Sequence, residues 1–197
     1  MDKIYQCAAA FYNPLDTRYH IIIGRKGKTA TLTIEFADKD FHHLMGLGKL
    51  KDLRIAKQSR ARVFQAILQG DLSDEDLHKS RYFSQIKNRF APLAAIEQLL
   101  DNNELIFRYN AKKNNFSLIE ADYLLSTPHE NKEVNIFLAQ KEVDEIYDCR
   151  SFFPKEGRDY TRNQPKYTLL YKEKYRISTG KKIIQYNRFY KDEIQKE

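Results

Sequence analysis

The hydrophobic period of this chain changes at Asn102-Asn103, and that change restricts the fold more than any other feature. Upstream, apolar residues recur at three- and four-residue spacing. Ile4, Cys7, Ala8 and Phe11 make one such stripe, and Phe83, Ile86, Phe90, Leu93, Ile96 and Leu100 make a longer one. The first predicts a short docking helix over 2–12, ended by Asn13-Pro14 because proline disfavours helix in the residue before it. The second predicts the longest helix, over 82–100, with Pro92 as a possible kink. Between them, Ser59 to Gln69 reads as a helix with Val63, Phe64 and Ile67 inward and Gly70 as its stop, and Ser73-Asp74-Glu75-Asp76 caps a further short one.

Downstream of Asn102-Asn103 the residues are those of strands. Segments 104–109, 117–126, 134–140, 146–153, 168–177 and 181–186 are separated by turn signals at 112–115, 127–131 and 178–180. One hairpin lies upstream, where 19–23 and 29–36 flank Gly24-Arg25-Lys26-Gly27-Lys28 and Ala30, Leu32, Ile34 and Phe36 alternate with polar residues. Helices followed by an antiparallel meander define an α+β fold with helices on one sheet face. At 197 residues the chain fits one domain, 1–197, helix-rich over 1–102 and sheet-forming over 103–190. The basic tail from Tyr186 to Glu197 reads as a last strand or helix with a frayed end.

Lys and Arg number 34 against 27 Asp and Glu, a formal charge of +7 that favours a polyanionic partner if the excess gathers on one face. Two cysteines, Cys7 and Cys149, provide neither a zinc cluster nor a disulfide framework and read as free thiols in a reducing cytosol. No stretch approaches the roughly 18 apolar residues that span a bilayer, and the first residues lack a charged segment followed by an apolar run. A cytoplasmic protein with no membrane partner is expected.

Three clusters carry polar chemistry. In the first, Asp38 or Asp40 caps a turn of helix bearing His42 and His43, with Gly46 and Gly48 at its end and Lys49, Lys51 and Arg54 beyond. Imidazole titrates near neutrality and can move the proton of a ribose hydroxyl, while cations stabilise the phosphorane that follows. Adjacent helical residues point about 100° apart, so one histidine faces a given cleft. Phe41 and Leu44 suit the core, which leaves His43. The competing reading is a buried helix with His43 as a hydrogen bonder at its edge, and a third metal ligand is missing.

The second cluster is Asp148-Cys149-Arg150-Ser151-Phe152-Phe153, where Arg150 can clamp a phosphate and Ser151 can donate to it. In a regular strand these two point to opposite faces, so they share a cleft only if the strand bulges or ends there. The third is the polar loop holding Arg158, Tyr160, Arg162 and Tyr167, whose alternating cations and rings suit single-stranded RNA, followed by Lys172 and Lys174 on one strand face. Surface ion pairing and a solvated loop are the plain alternatives. His20, His78 and His129 read as structural or solvent-facing. There is no Gly-x-x-x-x-Gly-Lys-Ser/Thr loop, no Gly-x-Ser-x-Gly elbow and no two-metal carboxylate pattern, so a nuclease here would be metal-independent and need no cofactor.

Over Phe41-His42-His43-Leu44-Met45-Gly46-Leu47, Arg150-Ser151-Phe152-Phe153-Pro154 and Tyr167-Thr168-Leu169-Leu170-Tyr171-Lys172, the chain resembles the phage-associated barnase, EndoU, colicin and RelE-like (BECR) domains. The resemblance covers most of the chain. It implies a hairpin and helices packed on a curved C-terminal antiparallel sheet, and ribonuclease activity in a toxin-like or mobile-element protein. It points to His43, Arg150, Ser151 and Lys172 as catalytic candidates, with His42, Lys49, Arg158, Tyr160, Arg162 and Tyr167 around the RNA. Only one strong histidine site departs from a two-residue proton relay. Two classes of function follow: a metal-independent endoribonuclease that leaves cyclic phosphates, or an inactive module that holds RNA or a protein on the same face. A neutralising protein partner fits the first.

Overall fold

A computed structural model describes residues 2–114, 116–141 and 145–189. Helix α1 (Lys3–Leu15) starts where the Asp2 carboxylate accepts the Tyr5 N–H, and it buries Ile4, Cys7, Ala8 and Phe11. It runs through Pro14, contrary to the expected stop. In the last turn the missing N–H costs a single intrahelical bond, so the proline is tolerated there. Phe11 is the hub of the helical core, meeting Phe36, Phe41 and Phe64 edge-on at 5.6, 5.6 and 5.9 Å between ring centres.

Strands β1 (Thr17–Arg25) and β2 (Lys28–Ile34) form the expected hairpin, turned by Lys26 and Gly27 at φ 50° and 75°. Two residues at positive φ match the right-handed twist of the strands. Helix α2 (Asp38–Met45) follows, with the Asp40 carboxylate accepting the Ala37 N–H. Helix α3 (Arg60–Gln69) lies between Ser59 and a left-handed Gly70, as its sequence signals require, and α4 (Asp74–His78) starts at Ser73.

The long helix expected over 82–100 is absent. Instead, tight 3-10 turns at Phe83–Gln85 and Lys87–Arg89 precede α5 (Phe90–Ala94) and α6 (Ile96–Asp101), which break at Ala95. Pro92 accounts for this: in a continuous helix its ring would strike the carbonyl four residues back, whereas in the first turn of α5 its missing N–H is an orphan anyway. The apolar stripe still faces the core, and Ile86, Leu93 and Ile96 are buried.

Strands β3 (Leu105–Arg108), β4 (Tyr123–His129), β5 (Lys132–Gln140), β6 (Ile146–Pro154), β7 (Lys166–Arg176) and β8 (Lys182–Asn187) complete the sheet. Residues 127–129, expected in a turn, extend β4; the turn is Glu130-Asn131 alone. Pro128 is tolerated because β3 pairs with β4 only as far as Ser126, so beyond it β4 has one neighbour. Segment 117–121 is not strand, the turn residue Asn115 lies outside the described residues, and so does the tail beyond residue 189.

The architecture is α+β, but the sheet is neither open nor purely antiparallel. The order is β1-β2-β6-β5-β4-β3-β7, and β7 pairs with β1 to close a seven-stranded barrel. The hairpin is part of this barrel and does not pack on it. The β2–β6 pair is parallel. Strand β8 lies beside β7 on the edge that β3 occupies further along, because β3 engages β7 only at Tyr167 and Lys166 and leaves Tyr171 to Tyr175 free. Among the described residues no helix is long and apolar enough to cross a membrane.

The barrel face carrying Tyr19, Ile21, Leu32, Leu125, Ile136 and Phe152 shares one core with the helices. A smaller cluster of Tyr109, Leu124 and Phe137 lies apart from it, with Phe153 and Tyr160 packed on. Polar anchors tie α6 to β7. Lys174 pairs with Glu97 at 2.5 Å and Asp101 at 2.9 Å, and the Tyr19 hydroxyl donates to Asp101 at 2.8 Å. Burial pushes the Asp101 carboxyl up, yet its hydrogen bonds with Lys174, Gln185 and Tyr19 and the Lys174 charge outweigh this and hold it below the usual carboxylate value. A carboxyl lowered by folding stabilises the protein above its unfolded value of about 4, and this is lost as pH falls through the lower folded value. Asp101→Asn should therefore lower stability at neutral pH and flatten the acid limb of the unfolding curve below about pH 4, read by denaturant melts across pH.

Candidate active site

The site forms where α2 meets a distortion in β6. Between Leu138 and Phe137 the β5–β6 register slips by one, pairing Leu138 with Cys149 and Phe137 with Ser151 and leaving Arg150 extra. Cys149 and Phe152 are both buried in the main core, so Arg150 and Ser151 together form the bulge between them. This is the condition under which both can serve one cleft. The bulge also presents the Arg150 carbonyl, which accepts a hydrogen bond from His43 Nε2 across 107 residues of sequence. A carbonyl can only accept, so Nε2 carries the proton and Nδ1 is left as the basic nitrogen, without a partner among the described residues.

His42 and His43 diverge as adjacent helical residues must. His43 is exposed, whereas His42 is buried with Nε2 3.0 Å from the Ile55 carbonyl. Burial lowers the His42 pKa, with Arg60 and His43 adding to the effect against the Ile55 contact, so the ring is neutral at pH 7.

Around the histidines opens a cleft of about 450 Å³ lined by His42, His43, Lys49, Lys57, Arg60, Arg89 and Ser151, with no carboxylate on its wall among the described residues. It continues into a second space of about 500 Å³ that shares Lys49, Arg89 and Ser151 and adds Phe153, Tyr160, Asn88 and Glu156.

Arg89 governs the junction. It is 6% exposed and has no carboxylate partner among the described residues; Nη1 donates to the Leu44 carbonyl at 2.8 Å, closing the end of α2, and the guanidinium lies 5.9 Å from the Phe153 ring centre. Its remaining N–H groups bond to no described residue and are not sealed in the interior, which leaves them to the cleft. Burial pushes the group down to about 10, so it stays a cation at neutral pH. Lys49 is lowered by burial and then by the Arg89 charge, against a smaller pull from Glu156. Gly46, at φ 78°, makes room: a Cβ there would sit 3.2 Å from both Arg89 Nε and Ile86 Cγ2. A buried guanidinium with no carboxylate partner among the described residues, set beside the exposed Lys49, Lys57 and Arg60, is an arrangement that can hold an anion, whose arrival would lower their mutual repulsion.

The structure brings His42, His43, Lys49, Ser151 and Tyr160 to this joint cleft. Arg150 contributes its carbonyl, while its side chain is exposed and lines neither space. Arg158 donates to the Phe116 carbonyl and lies over the Phe116 ring, and Arg162 is exposed in the same loop. Tyr167 belongs to a separate hollow with Glu104, Lys166 and Tyr186. Lys172 is also elsewhere. It is 1% exposed, and Nζ donates to the carbonyls of Leu100, Asp101 and Asn103, capping the end of α6.

Sequence reasoning missed Arg89, Lys57, Arg60 and Glu156. Arg89 did leave a signal, since it lies three residues after Ile86 and four before Leu93, a charge set on an otherwise apolar stripe.

The chain is thus a closed α+β barrel with a cation-lined cleft beside a backbone-tethered histidine, an arrangement that can hold an anion next to an imidazole. Its family is narrower: residues 3–188 match the model of the phage-Barnase-EndoU-ColicinE5/D-RelE like nuclease4 family, and the chain belongs to that family. No curated protein and no solved structure matches it. Among the described residues, no three His, Cys, Asp or Glu side chains gather in a group that could hold a metal ion.

Two substitutions separate structure from site. Lys172→Met strands three helix-end carbonyls and should lower the unfolding free energy by about 2–4 kcal/mol in urea melts. Arg89→Met should weaken pyrophosphate binding by about tenfold or more in calorimetric titration, consistent with loss of a charge-assisted contact worth about 1.5–3 kcal/mol.

Proposed function

We propose that the protein is a metal-independent endoribonuclease that cleaves by attack of a ribose 2′-oxygen on the neighbouring phosphate. The observation that carries this reading is the convergence of His43 with Lys49, Lys57, Arg60 and Arg89 on one cleft that has no carboxylate on its wall among the described residues. Such a wall binds phosphate through guanidinium and ammonium groups where other nucleases use metal ions.

In this scheme Arg89 and Lys49 neutralise the non-bridging oxygens, and the Ser151 hydroxyl donates to one of them. As negative charge grows on phosphorus, the fixed cations bind it more strongly than in the ground state, and that difference lowers the barrier. His43, with Nε2 committed to the Arg150 carbonyl, exchanges the reacting proton through Nδ1. It takes the 2′-hydroxyl proton as base or supplies one to the departing 5′-oxygen as acid. The P–O5′ bond breaks as the O2′–P bond forms, leaving a 2′,3′-cyclic phosphate and a 5′-hydroxyl. Tyr160 and Phe153 offer rings to the flanking base. The reading includes a cytoplasmic location, where RNA is at hand, and a toxin-like role held in check by a neutralising protein.

Purified protein incubated with mixed tRNA and messenger RNA in EDTA should yield fragments ending in cyclic phosphate. His43→Ala should reduce the rate by about 10²–10⁴-fold, the usual contribution of a general acid or base. Cleavage that stops in EDTA removes the metal-independent scheme. RNA that is bound and left intact makes the protein an RNA-holding module.

A further inference from the structure

Exposed apolar side chains are unevenly spread over this molecule. Of the nine large ones exposed among the described residues, five fall on β8 and the segments that flank it: Ile177, Ile183, Ile184, Tyr186 and Phe189. The strand is placed to expose them. It pairs with β7 on one edge, and among the described residues no strand pairs with its other edge. The Lys181 carbonyl accepts from the Arg176 N–H, and the Arg188 N–H donates to the Leu170 carbonyl, so these residues turn their main chain toward β7. Alternation along an antiparallel ladder then turns the N–H and carbonyl of Lys182 and Ile184 outward. Both side-chain faces are open as well, since Ile183 stands opposite Lys174 on one face and Ile184 opposite Glu173 on the other. An edge strand with open main chain and exposed apolar residues on both faces is what soluble proteins avoid unless something pairs with it.

Charge decides what can pair. Lys181 and Lys182 stand at one end of the strand and Arg188 at the other, all three exposed. Among the described residues only Lys182 of the three has a carboxylate partner, Glu173 at 3.7 Å. The acids beside the strand are engaged: Glu173 also accepts the Tyr171 hydroxyl, Asp16 accepts the N–H and hydroxyl of Ser178, and Glu104 shares its hollow with Lys166. A second copy docked edge to edge would bring its own three cations to the same short ladder, and like charges across strands are destabilising. The lysines therefore disfavour self-pairing and basic strands, and they favour a strand of opposite sign.

We infer that β8 is a docking edge for an extended segment of a partner protein, apolar at alternate positions in its middle and acidic at both ends, which adds to the sheet as a further strand. The outward N–H and carbonyl groups of Lys182 and Ile184 supply the affinity common to any added strand. Ile183, Ile184 and Tyr186 pack against its apolar side chains, and Lys181, Lys182 and Arg188 meet its acids. None of these residues lines the cation-lined cleft or the space beyond it, so the docked segment fills neither. The inference goes beyond the ribonuclease reading and does not depend on it.

The full chain is titrated with a dye-labelled, end-blocked peptide, Asp-Glu-Val-Thr-Val-Thr-Val-Glu-Asp, and with a counterpart carrying lysine for every acid. Pyrophosphate is kept in excess to occupy the cleft. Fluorescence anisotropy should show the acidic peptide binding about tenfold or more tightly than the basic one. Ile184→Pro should weaken the acidic peptide about fivefold or more, because the lost N–H points away from β7: the internal ladder keeps its bonds and the docked strand loses a donor. Replacing Lys181 and Lys182 together by Glu should turn the preference toward the basic peptide, a reversal that damage to the fold would not produce. Equal affinity for the two peptides, or binding of neither, overturns the inference. Binding of the acidic peptide that is unchanged in Ile184→Pro belongs to another basic surface and overturns it as well. A chain that sediments as a dimer, and as a monomer in Ile184→Pro, makes a second copy the occupant and also overturns it.

Discussion

Pairing of β1 with β7 closes the barrel, and much of the remaining structure depends on it. The two strands run antiparallel from Thr17–Arg176 to Gly24–Thr168, with a one-residue slip between Ile22 and Ile23. That ladder places the first hairpin in the same sheet as the last strands and lets β2 meet β6 in parallel. Two basic residues that would be costly to bury are satisfied by the same geometry. Lys172 and Lys174 on β7 face the end of α6, where one finds three carbonyls and the other two carboxylates. A buried cation is tolerated only with such partners, so helix and strand fix each other's position.

The cleft uses the opposite arrangement. Arg89 is as well buried as Lys174, but no carboxylate among the described residues meets it, and Lys49, Lys57 and Arg60 share the wall. Folding buries the Arg89 charge without a carboxylate among the described residues, an electrostatic cost that a bound anion would offset. Along β6 the bulge at Arg150-Ser151 turns a strand that would separate the two side chains into one that presents a hydroxyl and a carbonyl to α2. Precision at the histidine comes from main chain on a central strand, which is more rigid than a loop.

Local signals read well from the sequence where the physics is local. Ser59 and Gly70 bound α3 and Lys26-Gly27 turns the hairpin; at Arg150-Ser151 strand alternation asked for a bulge or a strand end, and the strand bulges there, though only Ser151 of the two lines the cleft with its side chain. Pro92 was visible too, but its effect was larger than a kink, because the residues before it formed 3-10 turns. Closure of the sheet could not be seen, since pairing of residues 17–24 with 168–176 leaves no trace in either segment; both are alternating strands whatever edge they meet. Lys172 shows the same limit. A lysine on a strand face reads as a cation for a ligand until the end of α6 is known to lie over it. Arg89 was passed over for the converse reason, its stretch being read as one amphipathic helix in which a single arginine on the apolar stripe carries no sign of the cleft it faces.

The wide sequence separation of these contacts bears on how the protein comes into being. The tether between His43 and the Arg150 carbonyl closes a loop of 107 residues, and the barrel waits for β7, which ends at Arg176. During synthesis, α2 and its histidines leave the ribosome long before β6 supplies the bulge, and β6 before β7 seals the sheet. Partial chains thus hold the components of the cleft without the cleft. Pairings of such range close slowly, because loop entropy is lost before the contact forms. A chain of a nuclease family is by this topology kept from assembling its cleft until translation has passed residue 176.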